Sequence, residues 1–293
     1  VVAATGKTIM PGMWEMHTHL QVSNQSALSL MQLAQGLTTA RDLASDLDVA
    51  VSQRDRERAG KLASPRLILA GFLEGPLKWA GPTVAVISTE AQARAWIARY
   101  DSLGYRQIKL YNLVHPDLLP AIAEETHRRG MRLSGHVVRG LSVPDAVRLG
   151  YDEIQHAAFL FSTFYQDSLY VPRMRSYGQV AAAVGPTFNV DGPEMTALIS
   201  LLREHGTVID GTFNIWLDRS RPLKDGTDLV FGPTLSWLPA AQRREVVDAP
   251  VTEPGQAARA MALSSVSVRK ELFLEFSSLI LANVAARISW ALA

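Results

Sequence analysis

Short runs rich in β-branched and apolar residues alternate along the chain with longer stretches of helical period, most of which end at a glycine. The runs predict strands over Met13–His19, Leu37–Asp42, Arg66–Gly71, Gln107–Tyr111, Arg132–His136, Glu153–Ala157 and Thr207–Thr212. Helices are predicted between them from start and stop signals. Ser45 caps one ending before Gly60, and Thr89 with Gln92 makes a capping-box pattern ahead of Gly104. Pro116 opens one ending before Gly130, and Ser142–Gly150 is a shorter fourth.

Strands and helices in alternation imply a parallel sheet covered by helices. Seven or eight such units in roughly 250 residues is the size of a TIM (β/α)8 barrel. A doubly wound sheet would carry a Gly-rich phosphate loop after its first strand, where this chain has histidines. The expected fold class is therefore α/β, a TIM barrel incomplete at strand 8, with the remnant of a small β-sandwich domain at the N-terminus. The expected domains are residues 1–11 for the remnant and 12–293 for the barrel. VVAATGKTIMP (Val1–Pro11) reads as a strand and turn with no partner of its own. The last helical stretch, Pro254–Ala286, runs into ARISWALA, where Arg287–Trp290 offers the start of an eighth strand with no helix left to cover it. These ends suggest the barrel of a larger protein, truncated at both termini. The long connections Phe72–Ser88, Ala158–Val190 and Phe213–Pro239 would lie over the active face.

Composition narrows the chemistry. The 293 residues include 29 Lys and Arg against 28 Asp and Glu, a net charge of +1, so no basic footprint points to a nucleic-acid partner. Charged residues make up 19% and apolar ones 47%, enough for one large core or two small ones and incompatible with a disordered chain. There is no cysteine, which excludes disulfides, Cys-based zinc sites, iron–sulfur clusters and thiol catalysis. Any metal must use histidine, carboxylate or a lysine-derived ligand. The longest stretch free of charged residues and histidine, Leu20–Ala40, is broken by polar residues and glycine, so no membrane span or membrane partner is expected. The expected partner is a small-molecule substrate; a homo-oligomer and the compartment are left open.

The candidate chemistry lies at strand ends. His17 and His19, two apart in extended backbone, leave the same face and can grip one ion, although such a pair also arises on surfaces or in packing. Lys109 in QIKLY alternates with Ile108 and Leu110, so its amine points into a closed barrel. A buried ammonium is costly; it either snorkels to the barrel mouth or has a lowered pKa that allows it to react. His136 ends RLSGH and His156 falls in EIQHA. One histidine at a strand end is commonly a hydrogen-bonded core residue, but four and a lysine at the C-terminal ends of strands one, four, five and six coincide with the active face of a TIM barrel.

On these residues the sequence resembles the amidohydrolase superfamily. TIMPGMWEMHTHL is similar to that family's opening strand with its His-X-His pair, QIKLY to the strand with the bridging lysine, and SGHVV and DEIQHAAF to the two later histidine strands. GLTTARDL, GYRQIKLYN and GYDEIQH are most similar to the branch of imidazolonepropionase-related and Xaa-Pro dipeptidase-like enzymes. The resemblance implies two divalent metal ions, usually zinc. His17 and His19 would hold the more buried ion, His136 and His156 the more exposed one, and Lys109, as a carbon dioxide-derived carbamate, would bridge both. A bridging hydroxide would then serve as nucleophile.

The resemblance also implies an aspartate at the end of an eighth strand, which binds metal and shuttles a proton, and ARISWALA has no carboxylate. Asp228 imitates the motif inside a charged, turn-rich loop. Asp210, on the seventh strand, is the nearer catalytic candidate beside the reading of a structural carboxylate paired inside the barrel. Lack of a placed acid–base group lowers rates by about 10² to 10⁴. Arg41 is a candidate for a substrate carboxylate, an ion pair with Asp42 or Asp46 being the alternative; Tyr111 and Asn112 are candidates for substrate contact or packing. His115, His127 and His205 read as surface residues, and Trp79 and Trp216 as pocket or packing residues.

The expected function is metal-dependent hydrolysis of an amide or peptide-like C–N bond in a small substrate, of dipeptidase or amidohydrolase type. The alternatives are a lactonase- or phosphotriesterase-like hydrolase and a catalytically impaired metal-binding fragment.

Overall fold

The computed structural model describes residues 4–20, 25–76, 83–157, 159–160, 163–165, 189, 191–212 and 240, without the side chains of residues 25–27 and 165. Trp79, Trp216, Asp228, most of Ala158–Val190, the connection from Phe213 to Pro239 and the stretch from Pro254 through ARISWALA lie outside the described residues. Two compact units divide the chain: residues 1–155 with 205–210, and residues 156–204 with 211–293.

The first unit is built on one seven-stranded sheet, every neighbouring pair parallel and every strand beside its sequence neighbours. The strands are β1 (Met13–Thr18), β2 (Leu37–Asp42), β3 (Arg66–Leu73), β4 (Gln107–Leu110), β5 (Arg132–Gly135), β6 (Glu153–Gln155) and β7 (Val208–Asp210). In a flat sheet β1 and β7 would stand about 29 Å apart, six spacings of about 4.8 Å. Instead His17 of β1 and Asp210 of β7 are hydrogen-bonded at 2.6 Å, so the sheet curls round on itself. This unit is a TIM barrel with one open seam between β7 and β1, where the described residues supply no eighth strand.

The helices between strands are α1 (Gln25–Ala34), α2 (Leu47–Arg58), α3 (Glu90–Ser102), α4 (Leu119–Arg128) and α5 (Val143–Arg148). Thr89 and Gln92 close a full capping box on α3, and Ser142 with Asp145 closes another on α5. A 3-10 turn, Pro116–Leu118, leads into α4. The helix expected to start at Ser45 begins at Leu47 behind Asp46, because the Ser45 hydroxyl donates instead to Asp42 at 2.6 Å. Uncharged α1 went unpredicted. Ahead of β1, the segment expected as a strand and turn shows only the turn among described residues 4–12, Lys7 N–H donating to Ala4 O at 3.0 Å.

The core between sheet and helices takes Leu67, Leu69, Ile97, Ile108, Leu110, Ile122, Leu133 and Ile154, all buried. On β4 and β6 these apolar residues alternate with Gln107, Lys109, Glu153 and Gln155, which are also buried and line the barrel's inside. Among the described residues no helix is long and apolar enough to cross a membrane.

In the second unit α6 (Pro193–His205, all but its last residue) buries Met195, Leu198 and Leu202, and Phe159 and Leu160 are buried as well. Ala157 N–H donates to Gly211 O at 3.2 Å, which joins the segments that follow β6 and β7.

Candidate active site

The barrel's interior is hydrogen-bonded where a branched aliphatic filling would be usual. Arg41 on β2 is buried and gives two bonds to Glu153 on β6, Nη1 to Oε2 at 2.7 Å and Nη2 to Oε1 at 2.8 Å. Its Nε donates to Met16 O at 2.7 Å, and its remaining N–H groups reach Gln107 Oε1 and Asp210 Oδ2, each at 3.3 Å. Gln107 Nε2 donates to Ser134 Oγ at 2.5 Å, and Gln155 Nε2 lies 3.3 Å from the same oxygen and 3.2 Å from Glu153 Oε1. Arg41, Gln107, Ser134, Gln155 and Glu153 thus form a closed polar ring drawn from β2, β4, β5 and β6.

The residues two positions further along lie nearer the C-terminal mouth. Lys109 follows Gln107 on β4, is 0% exposed, and its Nζ has no hydrogen-bond partner. Burial pushes its pKa down to about 7 even though Asp210 and Asp42 favour the ammonium. His17 and His19 face each other with their Nε2 atoms 3.2 Å apart. Burial first, then the Lys109 charge, lowers both imidazoles to about 3, so at neutral pH both rings are uncharged. His17 Nδ1 is bonded to Asp210 Oδ2 at 2.6 Å, while His19 Nδ1 is buried without a partner.

On the next strand, Gly135 lets β5 approach β4: a Cβ there would stand 2.1 Å from Leu110 O, and its φ of +137° disfavours any side chain. His136 follows directly, with Nδ1 bonded to Asn112 Oδ1 at 2.8 Å and the Tyr111 ring at 4.1 Å between centroids. Lys109 Nζ sits 5.8 Å from the centroid of that same Tyr111 ring.

The chain matches solved structures over most of its length. A bottromycin amidohydrolase structure matches with a TM-score of 0.58 at 21% identity, over 86% of this chain and 53% of its own. A prolidase crystallised with N-methylphosphonate-L-proline matches with a TM-score of 0.51 at 16% identity, over 90% of this chain and 64% of its own. The fold is that of the amidohydrolases.

A. niger ochratoxinase matches similarly, with a TM-score of 0.50 at 15% identity over 90% of this chain and 61% of its own. The chain therefore spans between about half and two thirds of these proteins. No protein-family model matches the sequence, and neither does any curated protein. The resemblance read from the sequence holds at the level of this amidohydrolase fold.

Within the fold, His17, His19, Lys109, His136, Tyr111 and Asp210 all lie at or beside the C-terminal ends of their strands in the first unit. His156, just after β6, belongs to the second unit. There its Nδ1 bonds Thr212 Oγ1 at 2.8 Å, and both residues have left-handed backbone, φ 68° and 48°. Non-glycine residues in that conformation concentrate at functional sites. Among the described residues no group of three or more histidines and carboxylates converges into a ready cage for a metal ion.

Arg41 departs from expectation. Its five N–H groups are all taken by Met16 O, Gln107, Glu153 and Asp210, which leaves none for a substrate carboxylate. Nor does it pair with Asp42, because adjacent strand residues point to opposite faces; Asp42 accepts from Leu20 N, Ala44 N and Ser45 Oγ instead. Tyr111 is half-buried, packed between Phe72 and His136, and so forms a wall of the site. His115, His127 and His205 are exposed. Glu153, Gln107, Ser134 and Gln155 were missed, although their alternation with Leu133, Ile108 and Ile154 was the available signal.

Proposed function

We propose that this chain is a metal-dependent hydrolase that cleaves an amide or peptide-like C–N bond of a small substrate. The observation that carries the reading is the pair His17 and His19, two uncharged imidazoles with Nε2 atoms 3.2 Å apart, beside the buried, unpartnered amine of Lys109. Two nitrogens bound to one tetrahedral ion at about 2.0–2.1 Å stand about 3.3 Å apart, so the pair fits a shared divalent cation. The missing third ligand is what carboxylation of Lys109 would provide, since a carbamate supplies anionic oxygens where an ammonium supplies none. A pKa near 7 leaves much of that amine uncharged and nucleophilic toward carbon dioxide at neutral pH.

His17 and His19 would hold one ion, His136 would take part in holding a second, and the Lys109 carbamate would serve both. When bound, the ions, most simply zinc, would polarise the scissile carbonyl and lower the pKa of the attacking water. The chain's own part is orientation: Asn112 fixes the ring of His136, Tyr111 walls the site, and the polar ring holds the strands that carry these residues. Scission of a C–N bond is favoured over a lactone or phosphotriester by the activities in the names of the amidohydrolase and the prolidase whose fold this chain shares.

The test is zinc content by elemental analysis after purification with bicarbonate, for wild type and Lys109→Ala, alongside turnover of dipeptides with C-terminal proline, lactones and phosphotriesters. Near two equivalents of zinc in the wild type, falling sharply in the variant, with dipeptide turnover, is the expected result. Absence of bound metal from both proteins overturns the reading.

A further inference from the structure

Asp210 is the candidate whose place in the structure says more than its place in the sequence. It stands at the end of β7, and its Oδ2 accepts from His17 Nδ1 at 2.6 Å and from Arg41 Nη2 at 3.3 Å. A carboxylate only accepts, so the proton in the first bond belongs to Nδ1, and Nε2 keeps its lone pair. That lone pair is directed toward His19. Oδ2 meets the ring on the far side from Nε2, so this oxygen cannot bind an ion held by Nε2. Arg41 cannot swing away from Asp210, because its other four N–H groups are fixed by Met16 O, Gln107 and both oxygens of Glu153.

We propose that Asp210 is a positioning residue: it locks His17 as the Nδ1–H tautomer with Nε2 presented to a divalent cation, and Arg41 is the strut that holds Asp210 in place. The cation rests on the metal-site reading above, whereas the tautomer does not need it. This role differs from the proton shuttle expected of an eighth-strand aspartate, since a shuttle must exchange its proton with substrate while Asp210 Oδ2 is engaged by two donors, His17 and Arg41. Carboxylates that bond the outer nitrogen of a metal-binding histidine fix its tautomer and raise its basicity, and their loss costs about 10- to 100-fold in metal affinity.

The experiment uses the full chain, first metal-free and then titrated with zinc, as wild type, Asp210→Ala and Asp210→Asn. Long-range ¹H–¹⁵N spectra of the histidine rings, with His17 assigned through His17→Gln, report the tautomer. The expected result is Nδ1–H in the wild type, a shift toward Nε2–H in Asp210→Ala, and zinc affinity lower by about 10- to 100-fold in that variant. Asp210→Asn retains an oxygen that accepts the same bond, and should keep the tautomer and bind zinc within a few-fold of wild type. The proposal is overturned by Nε2–H in the wild type, by an unchanged tautomer in Asp210→Ala, or by Asp210→Asn binding zinc as poorly as Asp210→Ala. If Asp210→Ala fails to melt cooperatively, Asp210→Asn decides: affinity within a few-fold supports positioning and a tenfold loss overturns it. A wild type that shows the expected tautomers but binds no zinc supports the Asp210–His17 assignment and overturns the metal-site reading instead.

Discussion

Arg41 and Glu153, 112 residues apart in sequence, meet inside the barrel through two near-parallel hydrogen bonds of 2.7 and 2.8 Å, both side chains buried. Removing Arg41 leaves Glu153 as an uncompensated buried charge, which costs about 3–5 kcal/mol, whereas Arg41 without Glu153 would still face Asp210. Urea denaturation of Arg41→Met should show a loss of that size. The double variant Arg41→Met with Glu153→Leu should lose less than the sum of the two single changes, because the charges leave together.

Lys109 gives the metal-free chain a pH dependence of defined sign. Its folded pKa, about 7, lies below the ordinary lysine value of 10.5, so between these limits the unfolded chain binds more protons than the folded one. Stability from this group therefore rises with pH across that window, and its penalty is complete below about 7. Lys109→Met should be more stable than wild type at pH 6.5 or so, and the gap should close as pH rises toward about 10. Paired urea titrations without metal or bicarbonate measure it; a gap constant with pH would sink the idea.

Gly135 precedes His136 at a point where β5 and β4 nearly touch. The 2.1 Å clash with Leu110 O and a φ of +137° both oppose a side chain there. Gly135→Ala should destabilise the chain by at least about 2 kcal/mol from backbone strain and overpacking together. Thermal melting detects the change, and a melt indistinguishable from wild type would mean that β5 has slack here.

Asn112 holds the ring of His136 through its Nδ1. Asn112→Ala leaves the Tyr111 stacking in place while freeing the tautomer, so the fold should persist. On the proposed two-ion reading, binding of the second zinc equivalent should weaken by about 10- to 100-fold. Calorimetric titration separates the two equivalents, and an unaltered second one would exclude His136 from its coordination.

The strands were legible because each is a short apolar or alternating run. All seven were found, and the second, Leu37–Asp42, was found to the residue. The misplaced ends share a cause. His19 and His136 were read as the last residues of their strands and His156 as the last but one, yet the ladders stop at Thr18, Gly135 and Gln155. Past the ends of the ladders the backbone turns away from extended geometry, and His156 takes a positive φ. The pairing of Asp210 with His17 was beyond sequence reasoning, because it depends on how far the sheet curls to bring β7 back to β1. Gln107, Glu153 and Gln155 were overlooked for a different reason. Alternation puts them on the barrel's inner face as it does Lys109, but polarity alone gives no sign that they bond one another across four strands.

That inward-facing ring also bears on how this chain can change over generations. Arg41, Glu153, Gln107, Ser134 and Gln155 each satisfy a neighbour's donors or acceptors, so a single replacement leaves a buried partner stranded. Drift at these five positions must proceed by compensating exchanges, and descendants that differ at one of them should differ at its partner too.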